Sequence, residues 1–250
     1  MNMRFALIAL LALVCMLPAC ASQRAQVASE PAVLMPIPRR PWVNLLYGIN
    51  SINERAQSLN TVLAVGDIIL TKADGKSSVT LEAALLLENS DYLKLRAWKA
   101  GQVVMDITYT PESVWVWTSQ QAPELTFTRA ALTQLVAAMR GQVPTNAEQI
   151  SENEHWITAS ATLENGAPIQ FRIHKPTLTI TQFTYFDKQQ TRRQTLVMDQ
   201  YDLINHQPWP RRIRAEGEMG FMLINLREVE INEPLPPHAF VPIDRAVRQP

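Results

Sequence analysis

From Val65 to Ile231 the chain consists mainly of short alternating or apolar segments separated by hairpin-length turn signals. Turns of this length join neighbouring strands antiparallel, because a parallel crossover needs a dozen or more residues. Asp74-Gly75 and Asn165-Gly166 are the clearest two-residue hairpin signals. The pattern predicts about eleven strands in one large meander, and a twisted antiparallel sheet of that size curls rather than staying flat.

Two segments have a helical period instead. From Trp42 to Leu63, apolar residues recur three and four positions apart, which predicts one amphipathic helix with Gly48 as a weak point. A second helix is predicted from Phe127 to Met139, ended by Gly141 and Pro144. Each helix has one apolar face to bury. We therefore predict a mainly β (α+β) fold, with two helices packed in the concave face of a curled antiparallel sheet.

The first twenty residues predict export and lipidation. The apolar stretch Phe5–Leu17 is shorter than the roughly 20 residues that span a bilayer, so it is typical of a cleaved signal segment. Leu17-Pro18-Ala19-Cys20 resembles a lipobox, which makes residues 1–19 a lipoprotein signal peptide and Cys20 the lipid-attachment residue. The alternative is ordinary signal cleavage beside an incidental Cys20. Cysteine usage favours lipidation, because the other cysteine, Cys15, lies in the removed segment.

Changes in composition divide the rest of the chain. Residues 20–41 have no periodicity and contain four prolines, so we expect a lipidated N-terminus and a flexible Pro-rich tether. The folded domain is predicted to span 42–244, followed by a C-terminal tail at 245–250. Lysine plus arginine equals aspartate plus glutamate at 23 each, and no basic run exceeds a pair. This charge pattern argues against nucleic acid as a partner.

The sequence contains no convincing catalytic, metal or cofactor motif. Gly75-Lys76-Ser77 resembles the end of a phosphate-binding loop, but position 70 is Leu rather than Gly and a strand pattern follows. Asp67 and Asp106 lie within strand patterns and are expected to form structural ion pairs with Arg96 or Lys72. The four histidines lack ligand spacing. We predict a protein that is not an enzyme, with no catalytic residue, metal or cofactor.

The arrangement of helix, five strands, helix and six strands resembles the LolA/LolB lipoprotein-carrier superfamily. The matching segments are Tyr92-Leu93-Lys94-Leu95-Arg96, Thr110-Pro111-Glu112-Ser113-Val114-Trp115-Val116 and Trp209-Pro210-Arg211-Arg212-Ile213. The resemblance covers roughly residues 42 to 243. It implies an unclosed half-barrel with a helical lid over an apolar cavity that holds acyl chains, and it brings no catalytic residues.

Apolar and aromatic residues on the expected inward faces are the candidate cavity lining: Ile107, Tyr109, Trp115, Trp117, Phe171, Ile173, Phe183, Tyr185, Met198 and Met222. Flexible Met suits a variable acyl chain. For any single one of them, a filled core is the favoured interpretation, and the sequence does not separate a filled core from a hollow one.

The resemblance also implies a membrane-contact hairpin between the third and fourth strands, where Trp98 and Lys99 stand. Alternation places Trp98 on the polar side of its strand, with Lys94 and Arg96, which favours an exposed indole at the bilayer interface. The alternative is that the ring packs inward. The residues after Cys20 lack the Asp that retains lipoproteins in the inner membrane, so we expect an outer-membrane anchor facing the periplasm.

Two functions are compatible with these features. In the first, a membrane-anchored carrier or acceptor binds acyl chains or lipidated cargo in the half-barrel and receives it from a periplasmic carrier protein. In the second, a non-catalytic envelope scaffold or sensor uses the same fold, with a filled core, for protein recognition. In both, the chain is expected to be a monomer held on the membrane through the Cys20 lipid.

Overall fold

The computed structural model describes residues 37–38, 40–119, 129–189, 191–217 and 220–249. This part of the chain contains two helices, α1 (Leu45–Gln57) and α2 (Arg129–Arg140). The strands are β1 (Thr61–Lys72), β2 (Ser78–Glu88), β3 (Tyr92–Lys99), β4 (Gln102–Tyr109), β5 (Val114–Thr118), β6 (Glu148–Glu152), β7 (Trp156–Thr162), β8 (Pro168–His174), β9 (Thr179–Phe186), β10 (Arg192–Ile204), β11 (Gln207–Gly217), β12 (Gly220–Ile231) and β13 (Val247–Gln249). Cys20 and the rest of the predicted signal peptide lie outside the described residues.

All thirteen strands form one antiparallel sheet in the order β13-β5-β4-β3-β2-β1-β12-β11-β10-β9-β8-β7-β6. The sheet is not closed, because β13 and β6 are edge strands. The predicted fold class, a curled antiparallel sheet forming an unclosed half-barrel with two helices, is confirmed. The strand number is two higher than expected, since β6 is exposed throughout and β13 has only three residues.

Strand β1 lies beside the central strand β12 and shows how the sheet curls. It pairs with β2 on one side and β12 on the other, and the register with β12 shifts between Val65 and Gly66. A Cβ atom at Gly66 would lie 2.0 Å from the backbone oxygen of Asn225. Glycine therefore allows the close backbone approach, and a bulge at this point bends the strand.

The first helix is shorter than its sequence pattern indicates. The Asn44 side chain accepts a hydrogen bond from the Tyr47 amide (2.8 Å), which caps the helix at its start. The helix ends before Ser58, and Leu63, expected at its end, lies in β1. Leu59 is buried although it follows the end of α1. This apolar residue therefore extends the helical period of the sequence without being part of the helix.

Both helices bury an apolar stripe. The buried residues are Gly48, Ile49, Ser51, Ile52 and Ala56 in α1, and Leu132, Leu135, Val136, Ala138 and Met139 in α2. Gly48, expected as a weak point, has a packing role: a Cβ there would lie 2.6 Å from the Trp42 ring. Trp42 therefore packs against the helix where only glycine leaves room.

Both ends of the described chain extend the domain beyond its predicted limits of 42 and 244. Ile37 is buried in the core, and the Arg40 amide donates to the Pro176 carbonyl at 2.9 Å. At the other end, β13 pairs with β5 as an edge strand, so this segment is part of the sheet rather than a tail. Between β12 and β13 the chain contacts β3, where the Phe240 and Tyr92 ring centroids are 5.3 Å apart.

Candidate functional site

The face of the sheet that meets α2, here called the inner face, is identified by two tyrosines. The Tyr109 hydroxyl is hydrogen-bonded to Thr133 Oγ1 (3.0 Å), and the Tyr185 hydroxyl donates to the Gln134 carbonyl (3.2 Å). Residues directly opposite in antiparallel strands share a face. The register therefore places eight of the ten candidate lining residues on the inner face: Ile107, Tyr109, Phe171, Ile173, Phe183, Tyr185, Met198 and Met222.

Trp115 and Trp117 lie on the opposite, outer face, contrary to expectation. Trp115 pairs with Thr108 and Trp117 with Asp106, whereas Ile107 pairs with Val116. Strand β5 reads Val-Trp-Val-Trp, so both of its faces are apolar and alternation alone does not choose between them. Both tryptophans are half-buried, and Trp117 lines a surface pocket with Ile243 from the C-terminal segment.

The inner face is closely covered in this conformation. Seven of the eight inner candidates are buried, with side chains 0–5% exposed, and Met222 is half-buried. A cleft between the two helices and β9–β11 has a volume of about 40 Å³. Sites for small-molecule ligands usually measure about 300–1,000 Å³. This cleft is therefore much smaller than a typical ligand site, and the closely covered conformation of the described residues is called the closed state below.

The cleft, called the arginine cleft below, combines an apolar wall with two guanidinium groups. Its lining residues are Ile52, Arg55, Leu59, Met139, Arg140, Gly141, Leu178, Thr179, Ile180, Tyr201, Gln207, Pro208, Trp209 and Pro210. Arg55 Nη2 donates to the Leu178 carbonyl. Burial, assisted by the charge of Arg40, lowers the pKa of Arg55 to about 10. The sequence pattern does not indicate this site, because position 55 is one of the polar positions between the apolar residues of α1.

Polar contacts hold the helices to each other and to the sheet. The Asn53 side-chain amide donates to the Val143 carbonyl (2.9 Å) and accepts from the Val143 amide (3.0 Å). Arg140 donates to the carbonyl oxygens of Asn89 (2.5 Å) and Ala56 (2.7 Å). The second of these contacts places a cation at the C-terminal end of α1, where the helix dipole favours it. The ends of both helices are thus joined near the β2–β3 turn.

Burial raises the pKa of two tyrosines whose hydroxyl groups donate hydrogen bonds to backbone carbonyls inside the domain. Tyr185 holds α2, as described above, and Tyr201 donates to the Ile180 carbonyl between β10 and β9. For both groups, loss of solvent contact is the main cause, since burial disfavours the phenolate. Both hydroxyl groups therefore stay neutral donors at physiological pH.

The β3–β4 hairpin carries the candidate membrane-contact residues Trp98 and Lys99. Its turn residues, Ala100 and Gly101, both have positive φ, 49° and 75°, as a two-residue hairpin turn requires. Lys99 is exposed and Trp98 is half-buried, opposite Glu82 on β2. The indole is therefore neither fully exposed nor part of the core.

The outer face carries two buried aspartates with basic partners. Asp106 is fully buried and pairs with Arg96 (2.5 Å) and Lys94 (3.5 Å), and Lys94 also donates to the Val241 carbonyl. The pairing of Asp106 with Arg96 was expected, whereas Lys94 was missed. Asp199 is likewise fully buried and pairs with Arg212 (2.5 Å) and Arg214 (3.0 Å).

Within the described residues, no group of three or more His, Cys, Asp or Glu side chains is arranged to hold a metal ion. None of the described helices has the length and apolar character needed to cross a membrane. Gly75 lies in the β1–β2 hairpin with φ 68°, which agrees with its interpretation as a turn.

Several solved structures resemble this chain, and three of them follow. A DUF1329 family protein from Desulfovibrio piger has a TM-score of 0.58 at 12% identity, over 76% of this chain and 93% of that one. A LolA superfamily protein from Nitrosomonas europaea gives 0.56 at 12%, over 77% and 97%. An outer membrane lipoprotein-sorting protein domain from Vibrio parahaemolyticus gives 0.55 at 11%, over 78% and 95%. No family model and no curated protein sequence matches the chain.

These comparisons establish the class of fold. The chain has an unclosed half-barrel fold similar to that of a LolA superfamily protein, the architecture that its sequence segments indicated, and the likeness covers 93–97% of each of the three structures. At 11–12% identity the likeness concerns architecture alone.

Proposed function

We propose that this protein is a lipid-anchored carrier or acceptor that binds an acyl chain, or the acyl chains of lipidated cargo, between α2 and the inner face. The observation that supports the proposal is the way in which the apolar face of the sheet is covered. One continuous apolar sheet face is covered by two helices instead of being closed strand to strand. A cover that is separate from the sheet is able to move while the sheet keeps its hydrogen bonds.

In this proposal, the closed conformation is the unloaded state. Four large apolar residues of α2, Leu132, Leu135, Val136 and Met139, are buried, each worth about 1.5–3 kcal/mol. Displacing them costs about 6–12 kcal/mol by the same measure. An acyl chain contributes about 0.8 kcal/mol per buried CH₂, so fifteen methylenes supply about 12 kcal/mol. The free-energy cost of displacing the α2 side chains and the gain from burying the acyl chain are similar. This similarity favours a reversible exchange, in which either α2 or the acyl chain covers the inner face.

The membrane position follows from the sequence expectations. A lipid on Cys20 would hold the domain at the outer membrane, facing the periplasm, through a tether that reaches the domain at Ile37. The β3–β4 hairpin would bring Trp98 and Lys99 to the headgroup region, where an amphipathic ring and a cation are both favourable. A monomeric acceptor of this kind receives its cargo from a periplasmic carrier protein.

A second candidate function has its own support in the structure. The interior of the described residues is filled, with inner-face side chains almost completely buried. A permanently filled half-barrel would act as a non-catalytic envelope scaffold or sensor that recognises another protein through its surface. The two functions differ in whether α2 ever leaves the inner face.

Native mass spectrometry of the gently purified protein tests the proposal. A series of adducts with acyl-chain masses, removed by delipidation and restored by palmitate, is the expected result. Protein free of adducts after repeated purifications, and unable to take up added palmitate, would favour the scaffold.

A further inference from the structure

The arginine cleft has a surplus of hydrogen-bond donors. Arg55 carries five N–H groups and has one acceptor, the Leu178 carbonyl, while no carboxylate of the described residues lies within ion-pairing distance. Arg140 adds a second guanidinium, and none of the cleft's lining residues is acidic. Arg55 is half-buried, and a cation that is partly removed from water without a counter-charge is destabilised, so this arrangement needs an explanation beyond packing.

A second observation concerns Trp209 in the same wall. Its side chain is 2% exposed, and its indole Nε1 is buried without a hydrogen-bond partner. Buried donors normally find an acceptor, and an unmade bond costs roughly 1–3 kcal/mol. The cleft thus lacks an acceptor that a ligand would bring.

Helix-dipole stabilisation explains only one of the two arginines. Arg140 donates to the Ala56 carbonyl at the C-terminal end of α1, which is an ordinary structural use of a cation. Arg55 reaches away from its own helix to Leu178, a contact that an uncharged donor would also make. The charge of Arg55 therefore has no structural use among its described contacts.

We propose that the arginine cleft binds the anionic head group of the acyl ligand, a carboxylate or a phosphate, through Arg55, Arg140 and the Trp209 N–H. This inference rests on the proposed function and adds the polar end of the ligand to it. Apolar side chains such as Ile52, Met139 and Ile180 form the rest of the cleft, so an anion attached to an acyl chain matches both parts. At about 40 Å³, the cleft has room for a few water molecules or a small head group, but not for the chain.

The test compares ligands that differ only in the head group. The mature chain from residue 20, carrying Cys20→Ala, is titrated calorimetrically with palmitate, hexadecanol, hexadecyl phosphate and inorganic phosphate. We expect both charged amphiphiles to bind at least about tenfold more tightly than hexadecanol, since a hydrogen bond to a charged group is worth more than a neutral one. Arg55→Gln should remove this preference and leave hexadecanol binding unchanged.

Further variants separate the effect of the positive charge on ligand binding from the effect of hydrogen-bond geometry. Arg55→Lys should keep part of the preference, because it keeps the cation but loses the planar fork. Trp209→Phe keeps most of the ring and removes the N–H, so palmitate binding should weaken about two- to tenfold, and hexadecanol binding should weaken less. Arg227→Gln, at an exposed arginine paired with Asp67, is the matched control and should change neither affinity. Thermal unfolding of each variant verifies that it is folded.

The outcomes distinguish this inference from the proposed function. Equal binding of palmitate and hexadecanol would overturn the head-group site while leaving acyl-chain binding intact. Binding of neither amphiphile would overturn both. Arg55-dependent binding of inorganic phosphate without any head-group preference among the amphiphiles would show a free-anion site, and would contradict the assignment to an acyl ligand.

Discussion

Loosening α2 without disturbing the sheet is expected to increase the apparent affinity for acyl chains. The double variant Tyr109→Phe/Tyr185→Phe removes the two hydroxyl contacts to α2, at 3.0 and 3.2 Å, and keeps both rings. Each neutral hydrogen bond is worth about 0.5–1.5 kcal/mol, so the closed state loses about 1–3 kcal/mol. This shifts the closed-to-open ratio by about 5- to 150-fold.

Two measurements report that shift. Amide hydrogen exchange of α2 should accelerate by about the same factor, because exchange follows the population of the open form. The apparent dissociation constant for palmitate should fall until the open form dominates, since ligand binding no longer works against closure. The matched control is Tyr201→Phe, which loses a buried hydroxyl bond to Ile180 within the sheet. It should lower global stability without selectively exposing α2.

Either of two results would contradict the link between movement of α2 and uptake of an acyl chain. In the first, α2 exchange in the double variant is unchanged relative to the rest of the domain. In the second, α2 exchange accelerates while palmitate affinity stays constant or weakens. The second result would mean that helix movement and ligand uptake are unconnected, as expected for a scaffold.

Four further predictions concern the anchor, the core, the outer face and the hairpin. Cys20→Ala should abolish palmitate labelling and release the protein from membranes, whereas persistent labelling would contradict lipidation at this residue. Phe171→Ala should lower the free energy of unfolding by about 3–5 kcal/mol, while Trp117→Ala, half-buried on the outer face, should cost less; equal losses in urea unfolding would contradict that placement. Asp106→Asn should cost about 3–5 kcal/mol, because it leaves a buried lysine unpaired, and a loss below about 1 kcal/mol would show that the lysine is solvated. Trp98→Glu should weaken binding to anionic liposomes with a modest loss of stability; unchanged binding would argue against the hairpin contact.

Much of the fold could be predicted because many of the strands alternate in hydrophobicity along the sequence. Val103 to Tyr109 and Ile169 to Ile173 were placed correctly for this reason. Strand β6 was not found, because an exposed edge strand has no buried side to produce alternation. The length of α1 was overestimated because Leu59 is buried by tertiary packing after the helix ends.

The candidate site was less predictable, since it depends on contacts between distant segments. Trp115 and Trp117 were assigned to the wrong face because β5 is apolar on both sides. The arginine cleft joins α1, α2 and the β9–β11 strands. Nothing in the local sequence indicates that Trp209 is buried or that Arg55 is half-buried. Charge counts and hydrophobic periodicity do not report whether a polar group has a partner.

Photo-crosslinking tests most directly whether the acyl chain occupies the inner face. Palmitate with a diazirine at the end of its chain is bound to the Cys20→Ala mature protein, activated by light, and located by peptide mass spectrometry. We expect adducts on inner-face and α2 residues such as Phe183, Met198 and Leu135, and their suppression by excess palmitate. Adducts confined to the outer face around Trp117, or no competed adduct at all, would contradict acyl-chain binding inside the half-barrel.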